Sequence, residues 1–183
     1  MEKEKTLYTL RIFSENIAGI LNSVTSVFSR RMMNIESLNV SASSIEGLHR
    51  YTITCYSDEE TIKNVNAQIE KKIGVVRSEY YTENEIYIQD VTLLKLSTPK
   101  VLEYKEITKI VRKFSANIVE VNPTFTIVVK HGTTDEILQM YERLKKYDCV
   151  LQYVSSGPIA ITLGKRELLT EYLEELKKKE RNL

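Results

Sequence analysis

One order of elements is laid down twice along this chain, and that repetition limits its fold more than any other feature. Over residues 6–13, TLYTLRIF alternates as a strand does: Tyr8, Leu10 and Ile12 point one way, and Leu7, Thr9, Arg11 and Phe13 the other. Ile20, Leu21, Val24, Val27 and Phe28 then recur at helical spacing. Strands are predicted over 34–41 and 49–56, separated by the turn cluster Ser43-Ser44-Ile45-Glu46-Gly47. Ser57-Asp58-Glu59-Glu60 reads as a capping box with Ser57 as N-cap. The helix it opens turns Ile62, Val65, Ile69 and Ile73 inward, and a strand over 75–82 closes the unit.

The second half repeats the order. A strand over 86–97 leads to Thr98-Pro99, a helix start with Thr98 as cap and Pro99 at the first helical position. Leu102, Ile107, Ile110, Val111 and Phe114 make the predicted buried stripe. Asn117-Ile118-Val119-Glu120 echoes Asn34-Ile35-Glu36-Ser37 at the same place in the order, and a strand pair bent near Pro123 follows. Thr133-Thr134-Asp135-Glu136 is another capping box, with Ile137, Leu138, Tyr141 and Leu144 as its helix stripe and a last strand over 149–155. Two βαββαβ units of about 75 residues each predict an α+β chain of tandem ferredoxin-like domains. We place them at 5–82 and 85–158, joined near 83–85, with a helical tail over 163–183. In this topology the strand after the first helix lies at a sheet edge, and pairing two such edges about a two-fold axis predicts a homodimer.

The totals exclude several classes. A formal net charge of +1 advertises neither nucleic acid nor a membrane surface. No apolar run approaches the roughly 20 residues of a membrane span, and residues 1–13 lack a signal-type apolar core, so a cytoplasmic location is expected. Cys55 and Cys149 both fall in strand patterns and read as buried free thiols. His49 and His131 have no partner at metal-ligand spacing, and Ser41, Ser43 and Ser44 have no His-acid arrangement. No catalytic residue and no metal site is predicted.

The stretch 14–40 carries the functional signal. It reads as a strand end, a loop with Asn16 and Gly19, an amphipathic helix, and Asn34-Ile35-Glu36-Ser37 opening the next strand. Free backbone amides at such a helix start suit the carboxylate of a small ligand.

At these residues the chain resembles a known family. Glu15-Asn16-Ile17-Ala18-Gly19-Ile20-Leu21, then Phe28-Ser29-Arg30-Arg31 and Asn34-Ile35-Glu36-Ser37-Leu38, resemble the small, regulatory subunits of acetolactate synthase (acetohydroxyacid synthase). Leu48-His49-Arg50-Tyr51-Thr52-Ile53, residues 71–77 and the Ile118 to Pro123 segment fit the same pattern, so the likeness covers roughly residues 5–158. The chain departs from it at Met32-Met33, where many members carry Gly-Tyr, near Pro99, where the Asn and Gly of the first half are missing, and in the tail. The tail's stripe of Leu168, Leu169, Tyr172, Leu173 and Leu176 needs a surface to cover, and the chain's own dimer is the expected one.

The resemblance implies an N-terminal ACT domain that senses an amino acid, followed by an ACT-like C-terminal domain. It implies a partner, the catalytic large subunit carrying thiamine diphosphate, Mg2+ and FAD. That subunit condenses two pyruvates to 2-acetolactate and CO2; this chain would raise its activity and confer feedback inhibition by valine or another branched-chain amino acid, with no catalysis and no cofactor of its own. The implied ligand-binding residues are Asn16, Gly19, Ile20, Leu21, Asn34 and Ile35. Amides at Gly19, Ile20 and Leu21 would hold the effector's carboxylate, Asn16 and Asn34 its amine, and Ile35 would line an apolar pocket between two N-terminal domains. The alternative is a free-standing ACT-type amino-acid sensor without a catalytic partner.

Overall fold

The computed structural model describes residues 5–164 together with Leu169, Leu173 and Glu174. They form two compact units, one of residues up to Tyr87 and from Ile159 on, the other Ile88–Pro158.

In the first unit β1 (Thr6–Glu15), α1 (Ile20–Ser29), β2 (Ser37–Ala42), β3 (Leu48–Ser57), α2 (Glu59–Glu70) and β4 (Val75–Tyr81) follow one another. The sheet order is β2-β3-β1-β4, antiparallel throughout, with β2 at an edge. Tyr8, Leu10 and Ile12 of β1 and Tyr51, Ile53 and Cys55 of β3 face the apolar stripes of α1 and α2, giving the core that alternation predicts. A short 3-10 turn, Glu83–Glu85, follows β4, and Thr82 and Glu85 close a capping box around it. β9 (Ile159–Thr162) pairs with β5 (Ile86–Ser97), whose first residues belong to this unit, and the Leu163 N–H donates to the Glu85 carbonyl at 3.0 Å.

The second unit continues from β5 with α3 (Thr98–Glu103), α4 (Lys105–Lys113), β6 (Asn117–Val121), β7 (Phe125–Gly132), α5 (Thr134–Lys145) and β8 (Val150–Ser155). Its strands are ordered β6-β7-β5-β8. Leu94, Leu96 and Val128 pack on Ile107 and Val111 of α4 and on Met140 and Leu144 of α5. Both units are therefore α+β layers with the ferredoxin-like strand order.

Several local expectations are corrected. The N-cap of α2 is Asp58, whose carboxylate accepts from the Thr61 N–H at 3.0 Å; Ser57 still belongs to β3 and turns its hydroxyl inward. Thr98 lies inside α3, where its hydroxyl meets Thr126 at 2.8 Å, and Ser97 takes the cap position. The expected single helix after Pro99 is broken at Tyr104, whose φ of −111° and ψ of 100° are extended, and Leu102 is left 77% exposed. Ile73 lies beyond the end of α2 and is exposed, and Leu21 and Leu138 sit at the margins of their stripes, with Met140 buried instead of Leu138. β2 begins at Ser37, leaving Asn34 and Ile35 in the connection before it. The strand β9 was not expected. Most of the predicted tail helix lies outside the described residues.

Candidate functional site

The loop between β1 and α1 is laid across two turns of its own unit. The Glu15 N–H donates to the Gly74 carbonyl at 2.8 Å and the Asn16 N–H to the Gly47 carbonyl at 2.9 Å. Gly74 and Gly47 both have positive φ, as sharp turns between elements require. Past Asn16 the chain enters α1 through Gly19, whose φ of 86° lies in the left-handed region. A Cβ built on Gly19 would meet nothing within 4 Å, so this helix start opens outward.

The first turn of α1 is uncapped. No side chain bonds its amides, and it contains no acidic residue. The Ile20 N–H makes one long contact, 3.4 Å, to the Ile17 carbonyl. Among the described residues the N–H groups of Gly19, Leu21 and Asn22 have no protein acceptor. These amides, with the positive end of the helix dipole, form a place for an anion. Asn22 belongs to this set and was missed from sequence; the third amide of any helix is unsatisfied, so its position was the available signal. Ile20 contributes its amide alone, because its side chain is buried in the core.

Asn16 and Gly19 are exposed beside this turn, and Leu21 is 42% exposed. Asn34 and Ile35 lie elsewhere. The chain leaves α1 through Met32, φ 50°, and the Met33 N–H returns to the Phe28 carbonyl at 3.1 Å. Asn34 follows, exposed, and Ile35 is half-buried against the core. A 10-residue helix separates the two groups, a rise of about 15 Å. The sheet separates them in the same sense: the loop adjoins the end of β1 where Ser14 pairs with His49 and His49 with Ala42, whereas β2 begins opposite Thr54, which faces Thr9. The structure brings Asn16, Gly19, Ile20 and Leu21 together and leaves Asn34 and Ile35 at the other end of the sheet.

The second unit has no matching loop. A groove of about 450 Å³ runs between α4 and α5 past Lys109, Lys113, Arg143, Lys146 and Tyr147, and none of the sequence-predicted residues lines it. Among the described residues no group of His, Cys, Asp and Glu is arranged to hold a metal ion. No helix among them is long and apolar enough to cross a membrane.

Two family models match the chain. One, described as an AHAS small subunit-like ACT domain, matches residues 10–77. The other, described as the small subunit of acetolactate synthase, matches residues 89–164, so that together they span most of the chain. The acetolactate synthase small subunit of Haemophilus influenzae is 29% identical over 160 residues, covering 87% of this chain and 98% of that relative. That of Bacillus subtilis is 28% identical over 165 residues, covering 89% and 93%. The crystal structure of the Thermotoga maritima small subunit superposes with a TM-score of 0.78 at 22% identity, covering 87% of this chain and 99% of that one, which establishes the shared fold.

Proposed function

Because the chain belongs to the family of acetolactate synthase small subunits, we propose that it activates a catalytic large subunit and makes it sensitive to valine or another branched-chain amino acid. The acceptor-free amides at the start of α1 hold the effector's carboxylate, with Asn16 beside them. The large subunit binds thiamine diphosphate, Mg2+ and FAD and carries out the condensation of two pyruvates. This chain supplies no reacting group and acts by binding.

The observation that carries this reading is the separation of the two halves of the site. A free amino acid cannot reach from the start of α1 to Asn34 of the same chain across a helix that rises about 15 Å. Antiparallel pairing of two β2 edges about a two-fold axis lays the start of one strand beside the end of the other. The partner subunit's Asn34 then lies at the same end of the continuous sheet as this chain's loop, and the effector bridges two subunits. Effector binding is thereby linked to the arrangement of the dimer, and through it to the catalytic subunit, with a coupling of about 1–3 kcal/mol expected for such control.

The test is acetolactate formation by the matching large subunit with and without this chain, and with valine, leucine or isoleucine added. Stimulation that one of these amino acids reverses is the expected result. Stimulation that none of them reverses removes the sensing role. No stimulation removes the activating role and leaves a free-standing amino-acid sensor, for which direct effector binding to the isolated chain is then the measurement.

A further inference from the structure

Phe13 points away from the helices, onto the outer face of the first unit's sheet, where an antiparallel sheet ordinarily meets water. It is nevertheless only 1% exposed. Leu169, also 1% exposed, is buried with it, and Ile45, Leu48, Val76 and Leu173 pack around the pair. The Arg11 guanidinium lies over the same ring, 5.6 Å from its centroid.

The members of this cluster are the neighbours of the loop's supports. Phe13 leads through Ser14 into Glu15 and Asn16. Leu48 follows Gly47, whose carbonyl receives the Asn16 N–H, and Val76 lies two residues past Gly74, whose carbonyl receives the Glu15 N–H. One apolar contact thus ties together the three chain segments on which the loop rests. Its two outer members come from a part of the chain that the family models do not reach, since the match ends at residue 164.

We propose that Leu169 and Leu173 form a strap that holds the supports of the β1–α1 loop in place, so that effector response depends on residues beyond those the family models match. The inference rests on the effector reading above for its functional half, and on packing alone for its structural half. Leu169 is a positioning residue: it fixes the end of β1 and the turns at Gly47 and Gly74, and these fix where the α1 amides point. Without it, Phe13 and Leu48 lose their apolar cover, and the end of β1 is free to shift relative to β3 and β4.

The experiment uses the full chain carrying Leu169→Asp, Leu173→Asp or the conservative Leu169→Met. Hydrogen exchange is read at the Glu15 and Asn16 amides, which the Gly74 and Gly47 carbonyls accept, with Val24 and Ile53 as core references. Exchange at the loop should rise about tenfold in Leu169→Asp while the core amides keep their protection, and Leu169→Met should restore the loop. In the complex with the large subunit, the effector concentration for half inhibition should rise about tenfold in Leu169→Asp, with stimulation unchanged. If Leu169→Asp does not fold, Leu169→Ala carries the same comparison. Unchanged loop exchange, or exchange that rises only in step with Val24 and Ile53, overturns the strap. A wild-type complex indifferent to all three amino acids overturns the effector reading instead, and the exchange result still decides the strap.

Discussion

Met32 and Ser115 hold the same place in the two halves of the chain: each is a left-handed residue, φ 50° and 53°, just past α1 in one unit and α4 in the other. In both, the next amide returns five residues, Met33 to the Phe28 carbonyl at 3.1 Å and Ala116 to the Val111 carbonyl at 3.0 Å. The left-handed residues themselves donate to Ser29 and Arg112, each at 3.0 Å. This double closure of a helix end is usually completed by glycine, and neither residue is one. The Met32 side chain is 92% exposed, so little packing opposes its removal. Left-handed geometry costs an L-residue about 1–2 kcal/mol, and glycine returns about half of that as lost chain entropy. Met32→Gly should therefore stabilise the chain by about 0.5–1 kcal/mol, read as a higher urea midpoint at unchanged slope. A lower midpoint would mean that Met32 packs against something in solution.

The start of α2 offers a paired test. Asp58 accepts from both the N–H and the hydroxyl of Thr61, at 3.0 and 2.8 Å. Asp58→Ala should cost about 1 kcal/mol. The Ser57 hydroxyl is buried and finds no hydrogen-bond partner among the described residues. Ser57→Ala should be neutral or stabilising, because it removes a buried polar group that gains nothing from the fold. The reverse order of the two variants in thermal melts would restore Ser57 as the cap.

These two residues also show how far the sequence could be read. The alternation of Tyr8, Leu10 and Ile12 and the spacing of Ile62, Val65 and Ile69 expose the strand and helix faces directly, because burial of one face is what the pattern records. Both units and the edge position of β2 follow from that. Ends are harder. Ser57 and Asp58 are both good caps one residue apart, and only the sheet decides, by keeping Ser57 as the last residue of β3. The break at Tyr104 is marked in the sequence only by the five-residue step from Leu102 to Ile107, about 140° off a single helical face, a gap that the regular spacing of Ile107, Ile110, Val111 and Phe114 masks. The loop amides were legible because a loop with Asn16 and Gly19 leads into an amphipathic helix, and the first amides of any helix lack an intrahelical acceptor. The seat of Leu169 on Phe13 was not, because an outward apolar residue does not name its cover.

Cys55 gives a pH dependence with a definite sign. Burial pushes its thiol up from the ordinary 9.0 to about 11, with the Glu36 carboxylate adding to the effect. The protonated thiol is what the fold favours, so its contribution is complete below the ordinary value and is lost as pH rises through the folded one. Stability should fall between pH 9 and about 11. Burial raises Tyr8 and Tyr81 as well, so the Cys55 part is read as the difference from Cys55→Ala, whose stability should decline less over that window. Equal slopes for the two proteins would mean the thiol is accessible to base in the folded chain.

The edge strand tests the proposed dimer. Leu38 and Val40 on β2 are 37% and 38% exposed, a fraction that a second β2 edge would cover. Val40→Lys places like charges near the axis and should raise the dimer dissociation constant at least about tenfold, measured by sedimentation equilibrium. Effector response should fall with dimer content, because the partner subunit's Asn34 is withdrawn. A monomeric variant with full response would place the effector within one chain.

Gly19 decides the site itself. Any L-residue there bears the strain of φ 86° without a clash, since the space beyond its Cβ is open for 4 Å. Gly19→Ala therefore measures strain alone, about 1–2 kcal/mol. Gly19→Asp bears the same strain but sets a carboxylate at the uncapped start of α1, where the helix dipole returns about 0.3–1 kcal/mol. The Asp variant should be the more stable of the two and the worse sensor, because its carboxylate stands where the effector's must bind. Half inhibition should need at least about tenfold more effector in Gly19→Asp, roughly 1.4 kcal/mol, and change little in Gly19→Ala, with both still stimulating the large subunit. Equal inhibition of the two variants would remove the α1 amides from the effector site, whatever the fold shares with its relatives.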